Sequence, residues 1–521
     1  MQNFEIKNTF ASLRFMSFIL VALILTAIDC YAAGVVGTGT ATSCTDVGFT
    51  KALTAGGTVT FNCGSAAKTI FIGSEKVIAV NTVIDGGNLI TLSGSNAKRL
   101  FNVPFNKSLT VKNLTLANGY SAGQGAAIFA DVQSVVTVNH CNFLNNTSTQ
   151  LGEAGGGAIY SGGGTLTVDN SKFTGNKASI GGAIRNLNSN LTVRLSTFTS
   201  NKAVDSRLGN GGAIYIDGAK GDGGQILIDN STFTSNTATA YGGAVFNNIY
   251  NNNKTTISNS QFITNSVGGG SNGQGGAIWS NGDPAFGSHW ITNVNATSLT
   301  VINTTLAGNT ASQQGGGLFV ARHPKTLINQ TTINGNKTLN SMGGGIVQTS
   351  NGVLSIVNST LSDNRANGTY SMGGAMYIGS TAKAIITNAT IANNIANWQG
   401  GGIYGATNVT LKNTILANNV ALNGGNAWNI KHNCFQEMTN GGNNLQYPDP
   451  IDADCTRGIL TANPNLDSFK NNGGPTLTRA LLTGSAASRK GANCPATDQR
   501  NITRPKPIGT FCDIGAFESA L

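Results

Sequence analysis

Hydrophobic and polar residues alternate over short stretches, and these stretches recur at regular intervals between residues 120 and 420. The segment Thr165-Leu166-Thr167-Val168 is typical, because two apolar residues separated by threonines predict a strand with one buried face. Glycine and asparagine, the residues that best tolerate positive φ, bound most of these stretches. The pattern therefore predicts many short β-strands joined by tight turns.

Two sequence elements repeat together, with a mean step of roughly 31 residues. The first is Gly-Gly-Ala-Ile followed by an aromatic residue, as in Gly211-Gly212-Ala213-Ile214-Tyr215. The second is Asn-Ser/Thr-x-Phe-x-x-Asn, as in the segment from Asn230 to Asn236. Short strands repeated at such a period predict an all-β solenoid, in which stacked rungs form parallel sheets along one axis.

Strand periodicity also predicts which side chains face the interior. Ile159, Leu166, Val168 and Phe173 should point inward, because the opposite parity would bury the charged Arg185. The asparagine that closes each second element should occupy a left-handed turn, since its short side chain tolerates that conformation. Stacked asparagines should also form an amide ladder along the axis.

The two elements together resemble the repeats of the polymorphic outer-membrane proteins of chlamydiae, over about residues 115–420. The resemblance implies a single-stranded, right-handed parallel β-helix, similar to pectin lyases, with an N-terminal and a C-terminal cap. It also implies a surface protein that acts in adhesion.

The C-terminal region, roughly residues 460–518, resembles the choice-of-anchor Q region of bacterial surface β-helix proteins. The resemblance is carried by five motifs: Asn472-Gly473-Gly474-Pro475-Thr476, Ala480-Leu481-Leu482-Thr483-Gly484-Ser485, Cys494-Pro495-Ala496-Thr497-Asp498-Gln499-Arg500, Arg504-Pro505 and Cys512-Asp513-Ile514-Gly515-Ala516-Phe517-Glu518. This family often has Ser-Pro-Ala-Ile-Asp where this chain has Ser485-Ala486-Ala487-Ser488-Arg489.

The N-terminus reads as an export signal. Lys7 and Arg14 precede an apolar run from Phe15 to Ile28, which is shorter than the ~20 residues of a membrane helix. Cleavage is expected near Ala32 and Ala33, and an uncleaved membrane anchor is the alternative. We therefore divide the chain into a signal peptide (1–33), an N-terminal cap with the first rungs (34–115), β-helix repeats (116–425) and a C-terminal cap region (426–521), with no membrane span in the mature chain.

The cysteines fit an exported chain with disulfides near both ends of the β-helix. Their spacing predicts three bonds, inferred from proximity alone: Cys44 with Cys63, Cys434 with Cys455, and Cys494 with Cys512. Cys141 lies alone within the repeats and should be a free thiol.

The formal net charge is +10 and is spread thinly along the chain. A nucleic-acid-binding protein would cluster this charge, so nucleic acid is not expected as a partner. An exported basic protein is more often in contact with acidic glycans or an anionic cell surface. The four histidines are isolated and lack metal-ligand spacing, so we expect neither a metal nor a cofactor.

One column of charged residues is a candidate catalytic site. Asp169, Arg194 and Asp229 stand four residues before the phenylalanine position of successive rungs, which would place the carboxylates ~10 Å apart. An inverting glycosidase needs a separation of ~6.5–9.5 Å, but Arg194 would fill the space that substrate and water require. A surface ion ladder is the favoured interpretation, and we assign no catalytic residue.

A column of aromatic residues is the better candidate for function. By the strand parity these rings should face outward, about one per rung, and a row of exposed rings can mark a binding face. The alternative is that the rings stack on one another or are covered by neighbouring loops. The candidate ligand-binding residues are Tyr160, Tyr215, Phe246, Trp279, Phe319, Tyr377 and Tyr404.

These observations favour an exported, non-enzymatic protein of the cell surface or extracellular space, adhesin-like or glycan-binding. Its partners would be glycans or the surface of a host or neighbouring cell. A polysaccharide lyase or glycoside hydrolase on the same fold is the second hypothesis, and a structural envelope or matrix component is the third. The oligomeric state is left open, because fold alone decides none of these questions.

Overall fold

The computed structural model describes residues 34–269, 272–282, 297–349, 351–448 and 454–520. The predicted signal peptide, with its cleavage site near Ala32 and Ala33, lies outside these ranges. Within them the chain winds into a parallel β-helix, so the predicted all-β solenoid is confirmed. No helix in the described part is long and apolar enough to cross a membrane.

Each rung of the central repeat contributes four short strands to three parallel sheets. The first strand begins at the isoleucine of the Gly-Gly-Ala-Ile element, and we call the sheet that it joins the aromatic sheet. Its described strands are Lys76–Val77, Phe101–Val103, Ile128–Ala130, Ile159–Gly162, Ile184–Leu187, Ile214–Asp217, Val245–Asn248, Ile278–Asn281, Leu318–Val320, Ile346–Gln348, Met376–Ile378 and Ile403–Tyr404.

The next two strands of each rung lie side by side in a second, large sheet. In the repeats they are a five-residue long strand and a three-residue short strand, separated by a turn. The described strands of this sheet are Gly34–Val36, Gly57–Phe61, Lys68–Phe71, Thr82–Ser93, Ser108–Ala117, Val135–Asn139, Asn142–Leu144, Thr165–Asp169, Lys172–Thr174, Asn190–Arg194, Thr197–Thr199, Gln225–Asp229, Thr232–Thr234, Lys254–Ser258, Gln261–Ile263, Ser298–Ile302, Thr305–Ala307, Lys325–Asn329, Thr332–Asn334, Val353–Val357, Thr360–Ser362, Lys383–Thr387, Thr390–Ala392, Val409–Lys412, Ile415–Ala417, Thr439–Asn440, Leu445–Tyr447 and Leu460–Thr461.

A two-residue strand completes each rung and forms a small third sheet. Its described strands are Tyr120–Ser121, Thr147–Ser148, Lys177–Ala178, Lys202–Ala203, Thr237–Ala238, Ser266–Val267, Thr310–Ala311, Lys337–Thr338, Arg365–Ala366, Ile395–Ala396 and Val420–Ala421. The other described elements are the α-helix Asp46–Leu53, the 3-10 turns Ala41–Ser43 and Asn423–Gly425, and the antiparallel pair Leu466–Lys470 and Thr478–Leu481.

The interior is formed by the apolar residues that the strand parity predicted. Ile159, Leu166, Val168 and Phe173 have no exposed surface. The phenylalanines of successive short strands stack face to face, and the ring centroids of Phe173 and Phe198 are 4.7 Å apart. Because each ring packs on the same residue of the next rung, the interior is a set of columns along the axis.

A column of buried asparagines runs beside the phenylalanines, as predicted. In Asn236 the Nδ2 atom donates to Asn265 Oδ1 at 2.9 Å and to the carbonyl oxygen of Phe198 at 2.9 Å. The Oδ1 atom of Asn236 accepts from the backbone N–H and the Nδ2 of Asn201. This pattern continues, rung by rung, from Asn146 to Asn419.

The predicted left-handed conformation is displaced by one residue from these ladder asparagines. The left-handed residue is the one before, such as Gly175 with φ 66° before Asn176. The asparagine that opens each second element is also left-handed, as in Asn170 with φ 45°. The ladder asparagine keeps an ordinary backbone because its amide group must point inward to meet the next rung.

The N-terminal end of the β-helix is covered by the α-helix Asp46–Leu53. Thr45 caps this helix by accepting a hydrogen bond from the Gly48 N–H at 3.1 Å. Phe49 is fully buried and packs against Phe61 and Phe101, which belong to two different sheets. The helix therefore closes the apolar interior where the first rung would otherwise expose it.

The described residues of the predicted C-terminal cap region, 426–448 and 454–520, occupy two places. Residues up to Thr461 extend the large sheet beyond the last repeat, through strands Thr439–Asn440, Leu445–Tyr447 and Leu460–Thr461. The following residues turn back and pack along the flank of the β-helix, over the short strands from Thr332 to Ala417. We call residues 466–519 the flanking segment. It differs from the expected end cap because it covers the side of four rungs.

Side chains of the short strands hold the flanking segment in place. Thr360 Oγ1 donates to Gln499 Oε1 at 2.7 Å, and Gln499 Nε2 donates to Thr332 Oγ1 at 3.0 Å. Within the flanking segment Arg504 and Glu518 form an ion pair at 3.0 Å with both side chains fully buried. Such a pair is costly to break, because either partner alone would be an uncompensated buried charge.

The structure joins all three predicted cysteine pairs: Cys44 with Cys63, Cys434 with Cys455, and Cys494 with Cys512. Cys141 is a buried free thiol. It occupies the position that Ser171 holds in the next rung, and its Sγ donates to the Asn139 carbonyl as Ser171 Oγ does to that of Asp169. Burial raises the pKa of Cys141 to about 12, so the thiol is unreactive.

Removing one rung of the asparagine ladder should be strongly destabilising. We expect Asn236→Ala to lower the free energy of unfolding by about 2–4 kcal/mol, because buried N–H and C=O groups on two rungs lose their partners. Asn142→Ala, at an exposed strand position, should cost less than about 0.5 kcal/mol. Urea denaturation followed by circular dichroism would compare them, and equal losses would contradict the role given to the ladder.

Packing of the flanking segment on the β-helix should depend on the small residues beneath it. Lys172 and Thr360 occupy the same outward column of the short strands, but Thr360 is fully buried by the flanking segment. We expect Thr360→Lys to release the segment and increase its cleavage by protease about tenfold or more, since a buried unpaired ammonium is very unfavourable. Thr232→Lys, in the same column but uncovered, should leave cleavage unchanged; increased cleavage there would refute this account.

Candidate binding pocket on the aromatic sheet

The aromatic column is aligned as predicted but is not exposed. Strand pairing places Tyr215 beside Phe246 and Phe246 beside Trp279. The ring centroids of the first pair are 4.6 Å apart and those of the second 4.5 Å, with nearly parallel planes. Tyr215 is only 6% exposed and Trp279 only 4%.

The expectation of an exposed row of rings is therefore wrong for most of its members. Tyr160 and Phe319 are buried as well, whereas Tyr377 and Tyr404 are half-buried. Arg185, in the same column, is also buried at 3% exposed although it points away from the interior. The rings pack on one another, and a second layer of chain covers them from outside.

The Gly-Gly turn explains the covering layer. Gly211 has φ 64°, and a Cβ atom there would lie 2.2 Å from the Ile214 carbonyl oxygen. A Cβ atom on Gly212 would lie 2.1 Å from the carbonyl oxygen of Gly243 on the next rung. Only glycine fits these two positions, and the tight turn folds the preceding residue back over the aromatic sheet. These preceding residues form a column of their own through Asn210, Tyr241 and Gln274.

The covering layer packs directly on the rings. Ile180, Tyr241 and Met342 join the same apolar cluster as the aromatic column. Trp279 Nε1 donates a hydrogen bond to Gln274 Oε1 at 3.1 Å. The sequence carries only a weak signal for this arrangement, because the residue five positions before the ring is Tyr241 for Phe246 and Gln274 for Trp279 but Gly155 for Tyr160.

Stacking also limits what the rings can do. The faces of Phe246 are occupied by Tyr215 and Trp279, so within the stack the rings present their edges outward. A sugar ring therefore has no free aromatic face to stack on at this point. Any ligand must instead contact ring edges and the polar groups around them.

A pocket of about 360 Å³ lies where the covering layer is incomplete. It brings together three of the predicted ring residues with acidic and amide side chains that the sequence did not single out. Its lining consists of Glu153, Leu208, Asn210, Tyr215, Asp217, Tyr241, Phe246, Asn248 and Trp279. Concave sites with a few convergent polar groups on an apolar floor are typical ligand sites.

One wall of the pocket is held by Asp205, whose carboxylate accepts hydrogen bonds from the N–H groups of Arg207 at 2.9 Å and Gly152 at 3.0 Å. These bonds lower the pKa of Asp205, so the carboxylate stays ionised. Because Gly152 precedes Glu153, this contact fixes the segment that carries Glu153 over the pocket.

Two carboxylates and one guanidinium dominate the electrostatics of the pocket. Arg185 lies 4.9 Å from the centre of the Tyr215 ring and pairs with Glu153 at 3.4 Å. Asp217 accepts a hydrogen bond from Asn248 Nδ2 at 3.2 Å. Burial raises the pKa of Asp217, and this effect outweighs the opposing effects of Asn248 and Arg185. Glu153 is largely exposed, so the two carboxyl groups have different environments.

The charged column on the large sheet is separate from this pocket. Strand register places Arg194 beside Asp169 on one rung and Asp229 on the other. None of the ion pairs in the described part joins them, because Arg194 is exposed and Asp229 instead accepts from Ser258 at 2.6 Å and Asn259 at 2.8 Å. Exposed Arg194 stands between the two carboxylates.

The described residues contain no group of three or more histidine, cysteine or acidic side chains arranged to hold a metal ion. His323 is fully buried, and its Nε2 lies 2.7 Å from Ser280 Oγ. Burial lowers the pKa of His323 to about 3, so the imidazole is neutral at physiological pH. His289 lies outside the described residues.

Comparison with known families finds a match to the Chlamydia polymorphic membrane protein repeat at residues 140–162, 196–217 and 230–248. The predicted resemblance of the repeats is thus confirmed, whereas the choice-of-anchor Q resemblance stays a prediction. No curated protein matches the sequence. Among solved structures, the A-module of mannuronan C-5 epimerase AlgE6 from Azotobacter vinelandii is similar at 13% identity and a TM-score of 0.34, covering 80% of this chain and 95% of that one.

The raised pKa of Asp217 leads to a pH-dependent prediction. The folded state is favoured while this carboxyl is protonated, and that contribution is lost as pH rises through the raised pKa. We expect Asp217→Asn to match the wild type in thermal midpoint at pH 3.5 and to exceed it at pH 8, by about 1 °C for each kcal/mol of the lost contribution in a chain of this length. Asp222→Asn, at an exposed position, should show no such pH-dependent gain; a gain equal to that of Asp217→Asn would contradict the assignment to burial.

Proposed function

We propose that this protein is exported and acts outside the cell as a non-enzymatic β-helix that binds glycans through the pocket on the aromatic sheet. Export is supported by the apolar N-terminal run and by three disulfides, which form in oxidising compartments. A role at the cell surface is supported by the repeats that match the chlamydial polymorphic membrane proteins. The pocket carries the glycan-binding part of the proposal.

The lining of the pocket matches the chemistry of a saccharide. Carboxylate and amide groups from Glu153, Asp217 and Asn248 can receive and donate hydrogen bonds to sugar hydroxyls. The edges of Tyr215, Phe246 and Trp279 supply an apolar floor for the carbon-bound hydrogens of a sugar. Because two carboxylates face one guanidinium, the pocket favours neutral or amino sugars over acidic ones.

A polysaccharide hydrolase or lyase is the second candidate, and one observation favours it. Asp217 is a carboxyl with a raised pKa, and Glu153 is an exposed carboxyl in the same pocket. Pairs of carboxyl groups with different environments are what general acid–base chemistry on glycosidic bonds uses. The pairing of Glu153 with Arg185 weighs against it, because that contact occupies the exposed carboxylate.

A glycan array with the disulfide-intact mature protein tests the proposal. We expect binding to neutral or amino sugars that is reduced about tenfold or more by Glu153→Gln combined with Tyr241→Ala, since each removes a contact in a partly enclosed site. The matched control is Glu437→Gln combined with Tyr370→Ala, two exposed positions outside the pocket.

Each result on the array separates the hypotheses. Loss of binding in the pocket variant but not in the control supports the proposal. A reducing-end assay on the same polysaccharides runs in parallel, and product formation abolished by Asp217→Asn would replace it with the enzyme hypothesis. Absence of both binding and product would favour a structural envelope component.

A further inference from the structure

The second half of the β-helix is basic. From residue 254 to residue 448 the sequence contains eight lysine or arginine residues and three acidic residues. Of these three, Asp283 lies outside the described residues and Asp363 pairs with Arg479 at 2.9 Å. An anionic partner would therefore meet little opposing charge along this part of the molecule.

Three of these lysines form a straight row at the start of the long strands. Strand pairing gives the order Lys254, Ser298, Lys325, Val353 and Lys383 on five successive rungs. A lysine thus appears on every second rung, and with ~4.8 Å between rungs the spacing is ~9.6 Å. The row is straight because the register is unbroken across these strands.

The lysines of this row are available to a partner. All three side chains are exposed, and none takes part in the ion pairs found in the described part of the chain. Their spacing exceeds the ~8 Å Debye length at physiological ionic strength, so neighbouring lysines of the row repel one another only weakly.

A shallow groove of about 510 Å³ runs beside the middle of the row. Its lining includes Lys325, Thr300, Leu327, Val353 and Ser355. Thr300, Leu327 and Ser355 are the outward residues of three neighbouring rungs, so the groove follows the same axis as the lysines. An apolar and hydroxyl-bearing floor beside a line of cations fits an extended chain better than a compact ligand.

We infer that the lysine row, Lys254, Lys325 and Lys383, binds a linear anionic polysaccharide that lies along the helix axis. One sugar unit of a polysaccharide is about as long as the distance between two rungs. A chain with an acidic group on alternate sugars therefore has the same spacing between charges as the lysines, which occur on every second rung. This site is independent of the pocket, which lies on the aromatic sheet. Carboxylated and sulfated chains share this chemistry.

Calorimetric titration of the mature protein with defined oligosaccharides tests the inference. The probes are oligogalacturonates, their methyl esters, heparin oligosaccharides and single-stranded DNA. We expect the lysine row to bind the acidic oligosaccharides and not the neutral esters, so any binding of the esters should be unaffected by changes in the row. Affinity should increase with length until the chain spans the row, which covers ~19 Å, and should fall as salt is raised. The stronger of the carboxylated and sulfated probes identifies the source.

Two variants of equal charge separate the row from net charge. The row variant combines Lys254→Gln, Lys325→Gln and Lys383→Gln. Its affinity for the acidic oligosaccharides should fall about tenfold or more, since several exposed charge contacts are lost together. The control variant changes three exposed lysines outside the row to glutamine: Lys51, Lys98 and Lys172. It should bind like the wild type.

Several results would overturn the inference. An equal loss of affinity in the row variant and the control variant would mean that net charge alone attracts the probe. Tighter binding of single-stranded DNA than of either acidic oligosaccharide would point to a nucleic-acid surface. Absence of polyanion binding in a protein that still binds neutral glycans through the pocket would remove the row and leave the proposed function standing.

Discussion

The structure depends on one constraint, that the buried amide group of each rung must find its partners on the neighbouring rungs. The ladder asparagines meet this constraint completely. Each amide donates to the next asparagine and to a backbone carbonyl, and accepts from the previous rung. A short turn can therefore be buried with all its polar groups paired. Unpaired backbone groups are the usual obstacle to placing a turn inside a protein. The phenylalanine stack and the exact strand register follow from the same alignment.

Much of this arrangement could be predicted, because a repeating contact leaves a repeating residue. The position of Phe173 recurs as phenylalanine, leucine or isoleucine and that of Asn176 as asparagine, so the burial of the first and the ladder of the second could be inferred from spacing alone. The left-handed residue was misplaced because Gly175, Ser200 and Ser235 share a conformation but not an identity. The burial of the aromatic column was missed for a different reason. Strand parity gives the direction of a side chain, whereas exposure depends on what folds back over it.

The candidate pocket was the least predictable feature. Asp217 shares its column with Leu187 and Asn248, and Glu153 precedes a glycine turn, so the repeat pattern marks neither carboxyl group. Asp205 holds the turn that carries Glu153, and Arg185 pairs with Glu153. The flanking segment illustrates the same limit. Its motif residues Asp498, Gln499 and Arg504 support a local network and contacts with the short strands, and no periodicity connects those positions with residues 330–417.

The flanking segment also constrains how the protein can change its length. A rung inserted upstream of Gln330, among the repeats that begin at Asn146, would find a ladder asparagine and a glycine turn on each side to pair with. A rung inserted between Gln330 and Asn413 would separate anchor points that Asp498 and Ala492 contact on fixed rungs. The flanking segment thus fixes the number of rungs between Gln330 and Asn413. A change in the number of rungs therefore leaves these contacts intact only when it falls on the N-terminal side of Gln330.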